Sequence, residues 1–343
     1  MKLKRQFRKL RIILGKFFLD KKTPENLTAL YPKKILFLRQ DGKIGDYIVS
    51  SFVFREIKKY KPEIHIGVVC TKKDAYLFQQ NPYIDHLYFV KKRSIFDYIR
   101  QGLHLQKEQY DVVIDPTISL KNRDLLLLRL IRARNYIGYK KPNYQIFNFN
   151  IDGNYHFSEI YRLALVKIGI ICQDTSYDIP TIQESQIKVR KLLSSYNIKS
   201  YISLNFFGAG NARKFTDNNI ISWLTYLRKK TNLPIILLTY PSVTEKLLWM
   251  IKDFDNIFLL KESTTIFDTI EIIRQSDLVI SPDTSIVHIA SGLNKPMIAL
   301  YSHGEDNFVH WNPNSRNIVY LLRYKNNINE LSPEQIKPEW LKI

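Results

Sequence analysis

The sequence predicts an α/β protein with two parallel-sheet domains. Short apolar, strand-like runs alternate with helix-like segments in two series along the 343 residues, an order that favours parallel, doubly wound sheets. The length suits two domains of roughly 100 to 200 residues each. A third observation is the stretch SPDTSIVHIASGLNKPMIAL at 281–300, in which polar residues separate two buried-strand patterns. Such a loop follows a strand at the carboxyl edge of the sheet, where open α/β sheets bind ligands.

The elements follow from the spacing of apolar residues and from caps. The first series has predicted strands at 33–38, 64–70, 86–90 and 110–115 and helices at 47–59, 73–79, 124–132 and 157–168. The second series has strands at 201–205, 235–239, 257–260, 277–280 and 296–300 and helices at 187–196, 218–230, 243–252, 266–275 and 285–293. We predict a basic amphipathic extension at 1–30, Rossmann-like domains at 31–180 and 181–322, and a tail with a short helix at 323–343.

Composition excludes several classes of protein. Hydrophobic residues make up 45% of the chain, enough for packed cores, and the two cysteines cannot build a disulfide framework. We find neither a run of 18 apolar residues nor a signal-peptide cleavage site. The expected location is therefore the cytoplasm.

The chain contains 52 Lys and Arg but only 32 Asp and Glu, and the resulting formal charge of +20 predicts an anionic partner. The excess lies mostly in the first half of the chain. Nucleic acid, a membrane surface and a phosphorylated substrate all fit this charge. The start, MKLKRQFRKLRIILGKFFLDKK, places apolar residues near one helical face; this face could lie in a membrane interface or pack on the protein, and both alternatives stay open.

Two glycine-containing loops are candidate sites. In the first, Gly42 and Gly45 precede Asp46 at a helix start, where Asp could also serve only as an N-cap. The second contains Gly208 and Gly210, then Arg213 and Lys214, with Thr216 as the cap of the next helix. Exposed amides with a cation suit a diphosphate, although such loops often bind nothing.

The 281–300 stretch is the third candidate site. Asp283, Thr284 and Ser285 stand at a helix start, and His288 lies in its first turn. A helix start favours anions, but an isolated His is more often a buried core residue. Asp253 and Asp255 form an Asp-x-Asp pattern used by metal-dependent sugar transferases, yet they precede a strand, so we interpret them as a solvated turn.

Together the three segments resemble glycosyltransferase family 9, the ADP-heptose:lipopolysaccharide heptosyltransferases. Gly45-Asp46 looks like the family's amino-terminal signature, and residues 283–290 with Gly292 and Lys295-Pro296 look like its carboxyl-terminal one. The resemblance implies the GT-B architecture, in which two Rossmann-like domains with parallel sheets face a central cleft. This chain departs from the family pattern at Ser285, where Gly is common, at Thr216, where Pro is common, and in its basic extension.

The resemblance also implies roles for individual residues. Asp46 would be the general base in an inverting, metal-independent transfer, and an ordinary Asp pKa of about 3.9 would leave it ionised. Lys214 would stabilise the ADP leaving group, and Gly45, Gly208 and Gly210 would form the loops at the cleft. The remaining donor-binding residues would be Asp283, Thr284, Ser285 and His288 at the diphosphate and sugar and Glu245 at the ribose.

The resulting hypothesis is transfer of L-glycero-D-manno-heptose from ADP-heptose, without a cofactor, to Kdo or heptose of the lipopolysaccharide inner core. The expected partners are ADP-heptose, a Kdo-lipid A or inner-core acceptor, and the inner face of the cytoplasmic membrane. One alternative keeps the fold but changes the sugar or acceptor, as in O-antigen or capsule assembly. A second alternative is a basic nucleic-acid-binding protein, which has only the charge in its favour.

Overall fold

The computed structural model describes residues 12–23 and 31–342 and divides the chain into two compact units, Met1–Thr175 and Ser176–Ile343. Each unit contains one six-stranded sheet in which all neighbouring strands are parallel. The prediction of two Rossmann-like α/β domains is confirmed. Within the described residues, no helix is both long and apolar enough to cross a membrane.

The amino-terminal unit has the strand order β3-β2-β1-β4-β5-β6. Its central strand β1 is buried at four of five positions, as expected for parallel sheets with helices on both faces. Helix α1 is described over residues 12–19. The other elements are β1 (Lys34–Leu38), α2 (Ile44–Ser50), α3 (Phe52–Tyr60), β2 (His65–Cys70), α4 (Ala75–Gln79), β3 (His86–Phe89), α5 (Ile95–Glu108), β4 (Val112–Asp115), α6 (Asn122–Ile131), β5 (Asn135–Tyr139), β6 (Phe149–Ile151) and α7 (Phe157–Val166).

The carboxyl-terminal unit has the strand order β12-β11-β10-β7-β8-β9. In this order β10 and β7 are neighbours, so the loops that follow them leave the same edge of the sheet. The elements are α8 (Gln183–Ser195), β7 (Ile202–Leu204), α9 (Asp217–Lys230), β8 (Ile235–Leu237), α10 (Thr244–Ile251), β9 (Ile257–Leu259), α11 (Ile266–Gln275), β10 (Leu278–Pro282), α12 (Ser285–Gly292), β11 (Met297–Ser302), α13 (Glu305–Trp311) and β12 (Val319–Tyr324).

Each unit has its own hydrophobic core. The carboxyl-terminal core is centred on Trp223 and reaches into the segment that follows β12. Ile328, Leu331, Ile336 and Leu341 of that segment are buried in this core, so the described part of the predicted tail packs on the domain. The short helix predicted there is a 3-10 turn over Pro333–Gln335.

Several elements are additional to those predicted. Helix α5 and strands β5, β6 and β12 have no counterpart in the predicted list. The β5 sequence NYIGY contains a polar residue and a Gly, and β6 has only three residues. Neither has the apolar run that indicates a buried strand. Their place in the sheet comes from pairing with neighbouring strands, which the sequence pattern of either segment does not show.

Candidate functional site

Asp46 lies at the carboxyl edge of the amino-terminal sheet, in the first turn of α2. The N-cap of α2 is Lys43, so Asp46 does not cap the helix, and the capping alternative is wrong. Gly45 lies beside it in the same turn. Gly42, in the preceding loop, has φ 73° and would bring a Cβ to 2.7 Å from the Asp74 carboxylate. The loop geometry therefore requires Gly at 42.

A buried arginine holds this loop to the helix. Arg39 follows β1, and its Nε donates to Asp41 at 3.1 Å while its Nη1 donates to the Ser50 hydroxyl. Ser50 in turn donates to the backbone carbonyl of Asp46 at 2.8 Å. The Arg39 Nη2 atom is buried and has no hydrogen-bond partner in the structure. The guanidinium thus joins the loop carboxylate to α2 and keeps one donor unused.

The environment of Asp46 changes its acidity. Burial, together with the neighbouring Asp41 carboxylate, raises its pKa to about 6, although Arg39 and Lys43 act in the opposite direction. The Lys43 ammonium lies 3.8 Å from the Asp46 carboxylate. The expectation of an ordinary pKa is therefore wrong. A carboxylate with a pKa near 6 is a stronger base than a free one and is still mostly ionised at neutral pH.

A second ionisable group is buried at the same edge, between β4 and β5. The Asp115 carboxylate accepts hydrogen bonds from the Thr117 backbone and hydroxyl at 3.0 and 2.7 Å. Burial raises the pKa of Asp115, and the Lys141 ammonium opposes this rise. Burial also lowers the pKa of Lys141, whose Nζ donates to the Tyr139 carbonyl at 3.1 Å. No sequence pattern indicates this pair, because a Lys in a turn normally lies in solvent.

In the carboxyl-terminal unit, Asn205 joins the two predicted ligand loops. It follows β7, and its side-chain amide donates to Ser281 of β10 at 3.0 Å and to the Thr284 hydroxyl at 3.4 Å. Gly208 is the point at which the first loop contacts the second, since a Cβ there would stand 2.8 Å from Arg213 and 3.3 Å from Thr284. Gly210 has φ 92° and open space around it. Gly208 therefore allows the first loop to pack on the second.

The start of α12 presents the predicted hydroxyls. Thr284 is the N-cap, and its hydroxyl accepts from the Ile286 N–H at 3.3 Å. Ser285 is the first helical residue and is half-buried. His288 is buried, and its ring centroid lies 5.7 Å from that of Trp311. This is the placement expected of a core His, and a donor-binding role for His288 stays a prediction.

Asp283 is buried and contacts one cation and one side-chain amide of its own unit. Its carboxylate lies 2.6 Å from the Arg213 guanidinium and accepts from the Asn307 amide at 2.9 Å. Burial raises the pKa of Asp283, while Arg213 and Asn307 oppose this rise. A carboxylate repels a diphosphate, so Asp283 is not suited to bind one directly. Its contact with Arg213 is suited to orienting that guanidinium. The sequence pointed to Lys214 as the main cation; Lys214 is exposed beside Arg213.

The other positions named in the sequence analysis lie at two different edges of the carboxyl-terminal sheet. Glu245 is exposed in the first turn of α10, which follows β8. Asp253 and Asp255 are exposed in the turn before β9, at the opposite edge of the sheet, as predicted. In the part of the chain that the structure describes, no three His, Cys, Asp or Glu side chains form a group suited to a metal ion.

Comparison with known proteins gives the class of this fold. Residues 224–340 match the model of glycosyltransferase family 9 (heptosyltransferase), a range that includes Glu245 and 283–288 but neither Asp46 nor Lys214. Lipopolysaccharide heptosyltransferase 1 of Campylobacter coli is 24% identical over 330 residues, which are 87% of this chain and 88% of that protein.

Two solved structures are similar over most of their length. A family 9 glycosyltransferase from Veillonella parvula has a TM-score of 0.71 at 17% identity, covering 90% of this chain and 96% of its own. The Escherichia coli heptosyltransferase WaaC with ADP-2-deoxy-2-fluoro heptose has a TM-score of 0.67 at 16% identity, covering 90% and 99%. These likenesses confirm the GT-B fold class. The chain is a glycosyltransferase. Its predicted resemblance to glycosyltransferase family 9 is likewise confirmed.

Proposed function

We propose that this glycosyltransferase moves L-glycero-D-manno-heptose from ADP-heptose to Kdo or heptose of the lipopolysaccharide inner core, with inversion at the sugar carbon and without a metal. The observation that carries the proposal is Asp46, a carboxylate in the first turn of α2 whose pKa is about 6. The Campylobacter coli relative is named a lipopolysaccharide heptosyltransferase. The WaaC structure contains an ADP-heptose analogue.

Asp46 acts as the general base in this proposal. It takes the proton from the acceptor hydroxyl while that oxygen forms a bond to the sugar carbon, and the bond from the same carbon to the ADP oxygen breaks. The raised pKa supports this role, since proton transfer is most effective when the pKa of the base lies near the working pH. Lys43 and Arg39 keep the carboxylate ionised enough to accept the proton.

The carboxyl-terminal unit binds the donor. Arg213, held by Asp283, and the exposed Lys214 supply positive charge to the ADP leaving group. The amides at the start of α12, beside Thr284 and Ser285, supply hydrogen-bond donors. His288 supports this helix start from the buried side, Gly208 and Gly210 shape the loop, and Glu245 accepts hydrogen bonds from the ribose hydroxyls.

The acceptor and the location follow from charge. The amino-terminal unit carries most of the positive excess of the +20 chain, and lipid A with its Kdo sugars is strongly anionic. A lipid-linked acceptor places the protein at the cytoplasmic face of the inner membrane. The donor and acceptor could instead belong to O-antigen or capsule assembly, which donor competition with other nucleotide sugars would reveal.

The proposal is tested by incubating the purified protein with ADP-heptose and an inner-core acceptor. ADP release should depend on the acceptor, persist in EDTA, and give a product whose anomeric configuration is inverted by NMR. Asp46→Asn should lose transfer while still binding ADP. Near wild-type transfer by a folded Asp46→Asn protein would remove the assigned base. Mass spectrometry of lipopolysaccharide from cells lacking the protein would then identify the missing sugar.

A further inference from the structure

Helix α1 exposes large apolar side chains on one side. Phe17 and Phe18 are 69% and 67% exposed, and Ile13 and Leu14 are also exposed. Adjacent apolar side chains in solvent are uncommon unless they meet a partner. The exposed side of α1 is therefore a candidate interaction surface.

The opposite side of α1 is fixed to the amino-terminal unit. Leu19 packs against the core, and the Asp20 carboxylate accepts from the Ile146 N–H at 2.9 Å. The Thr23 hydroxyl donates to the Ile146 carbonyl at 3.1 Å. Gly15 is so close to the first residue of α6 that a Cβ would overlap the Asn122 side chain. The Gly15 contact places α1 against the start of α6, and the Ile146 contacts hold the residues after α1 to the segment between β5 and β6. Phe17 and Phe18 remain exposed.

The first turn of α5 also exposes apolar side chains. Phe96 is 82% exposed and Ile95 is also exposed. The Arg123 guanidinium at the start of α6 lies 5.6 Å from the Tyr98 ring centroid, which joins the two helix starts. Because α5 and α6 follow β3 and β4, both begin at the carboxyl edge of the sheet. Because Gly15 of α1 contacts Asn122 at the same end of α6, we group the exposed apolar residues of the two helices and call them the apolar edge: Ile13, Leu14, Phe17, Phe18, Ile95 and Phe96.

Exposed cations flank the apolar edge. Lys91, Lys92 and Arg93 precede α5, and Lys121 precedes α6. The nearby acids are already bonded. Asp97 accepts from the Lys91 N–H and pairs with Arg100 at 2.7 Å, and Asp124 accepts from the Lys121 N–H at 3.1 Å. The exposed groups of this region are therefore apolar side chains and cations whose nearby acids are already bonded.

This combination selects among possible occupants. A second copy packed symmetrically on the same patch would set these cations against their own equivalents. An anionic lipid leaflet instead offers an apolar layer beneath negative headgroups, the two features that interfacial helices use.

We propose that the apolar edge inserts into an anionic lipid leaflet, with Phe17, Phe18 and Phe96 at the acyl boundary and Lys91, Arg93 and Lys121 at the headgroups. The Lys92 ammonium donates to the Asp41 carbonyl at 3.4 Å, so the cationic segment adjoins the loop that leads to Asp46. The inference rests on the proposed function where it assumes a lipid-linked acceptor, and it adds the residues that contact the bilayer.

The test is flotation of the full-length protein with vesicles and no substrate. One set contains phosphatidylcholine alone and the other an equal mixture with phosphatidylglycerol. The combined variant Phe17→Ser, Phe18→Ser and Phe96→Ser should lower partitioning to anionic vesicles at least about tenfold. The control is Ile171→Ser, because Ile171 is 72% exposed in the same unit. Ile171 lies three residues after Ile168, whose carbonyl accepts a hydrogen bond from the Tyr31 N–H. Because Tyr31 precedes β1, this region is at the opposite edge of the sheet from the apolar edge.

A second variant tests the charges without touching the apolar residues. Arg93→Glu with Lys121→Glu should lower partitioning to the anionic vesicles and leave partitioning to the neutral ones unchanged. Thermal unfolding of each variant should match that of the wild type, since the replaced side chains lie in solvent.

Three results would overturn the inference. The first is wild-type protein that does not bind anionic vesicles. The second is a loss of vesicle binding by Ile171→Ser as large as that by the triple variant. The third is a triple variant whose oligomeric state changes while its vesicle binding is unchanged, which would make a second copy of the chain the partner of this surface. Failure of heptose transfer with intact vesicle binding would remove the proposed function and leave this surface standing. Intact transfer to a delipidated acceptor by a protein that does not bind vesicles would remove the membrane-binding surface and leave the proposed function.

Discussion

The Arg39 guanidinium donates to the Asp41 carboxylate at 3.1 Å, and this pair stands directly before the helix that carries Asp46. Burial is the largest cause of the raised pKa of Asp46; the Asp41 carboxylate also raises this pKa, and the Arg39 guanidinium lowers it. Around them lie Lys43 in the loop, Asp74 and the Phe78 ring from the α4 region, and Tyr161 of α7. The first prediction tests this balance.

Asp41→Asn should move the acidic limb of the kcat/KM profile to lower pH, by about half a unit to one unit. Removing a negative charge makes Asp46 easier to ionise, so its pKa falls from about 6. Arg39→Gln should move the limb in the opposite direction. The measurement is the pH–rate profile of each variant, with Asp253→Asn, in the exposed turn of the other unit, as a control that leaves the profile unchanged. Equal profiles for all three variants would contradict the assigned pKa control.

Asp46→Asn should lower kcat/KM by about 10² to 10⁴, the usual contribution of a general base, and yet stabilise the protein at neutral pH. The pKa of Asp46 is raised on folding from 3.8 to about 6. The folded protein therefore holds a proton that the unfolded chain releases, and stability falls as pH rises through this window. Asn avoids the buried charge and should add about 1 to 2 kcal/mol at pH 7.5.

The pH dependence of unfolding checks this second prediction. Urea unfolding at pH 7.5 should show Asp46→Asn to be more stable than the wild type, whereas at pH 4 the two should agree closely. A variant less stable than the wild type at pH 7.5 would show that the carboxylate is structurally required.

Arg213→Met should raise KM for the donor, because it removes positive charge from the proposed diphosphate site. It should also cost about 1 to 3 kcal/mol of stability, since it leaves the buried Asp283 carboxylate without its cation. Adding Asp283→Asn should restore most of the stability and none of the donor affinity. Isothermal titration with ADP and urea unfolding separate the two effects. Recovery of ADP binding in the double variant would count against a direct role for Arg213.

Gly208→Ala should weaken ADP binding about tenfold or more, because its Cβ would stand 2.8 Å from the Arg213 Cβ and 3.0 Å from the Arg213 carbonyl. The loop must then change its packing around Arg213, the proposed diphosphate ligand. Gly304→Ala is the matched control in the same unit, since its Cβ would meet its nearest atom at 3.7 Å. Titration with ADP compares the two variants, and equal affinities would show that the loop packing does not position the donor site.

The sequence predicts the features that depend on local pattern. The alternation of strands and helices and the order of the loop motifs all appear in the structure. Thr216 caps α9 as expected, with its hydroxyl accepting from the Asn219 N–H. Each of these depends on residues within a few positions of one another, so each can be recognised without knowing the packing.

The remaining features depend on residues far apart in the chain. In the sequence, Arg39 is a cation at the end of a strand and nothing near it indicates burial. Its burial comes from packing against Phe78 and Tyr161. The raised pKa of Asp46 follows from that same burial and from Asp41. Lys141 likewise belongs to a site only because β5 lies beside β4, which brings it to Asp115. A sequence pattern gives the identity of such groups and not their solvation.

The separate cores of the two units have a consequence for calorimetry. A chain whose halves enclose independent apolar interiors need not melt in a single cooperative step, so one melting midpoint need not describe it. A ligand held by one half raises the melting temperature of that half by mass action. A heating scan with ADP should then displace the endotherm of the half centred on Trp223 and leave the other in place, which would assign nucleotide recognition without any substitution.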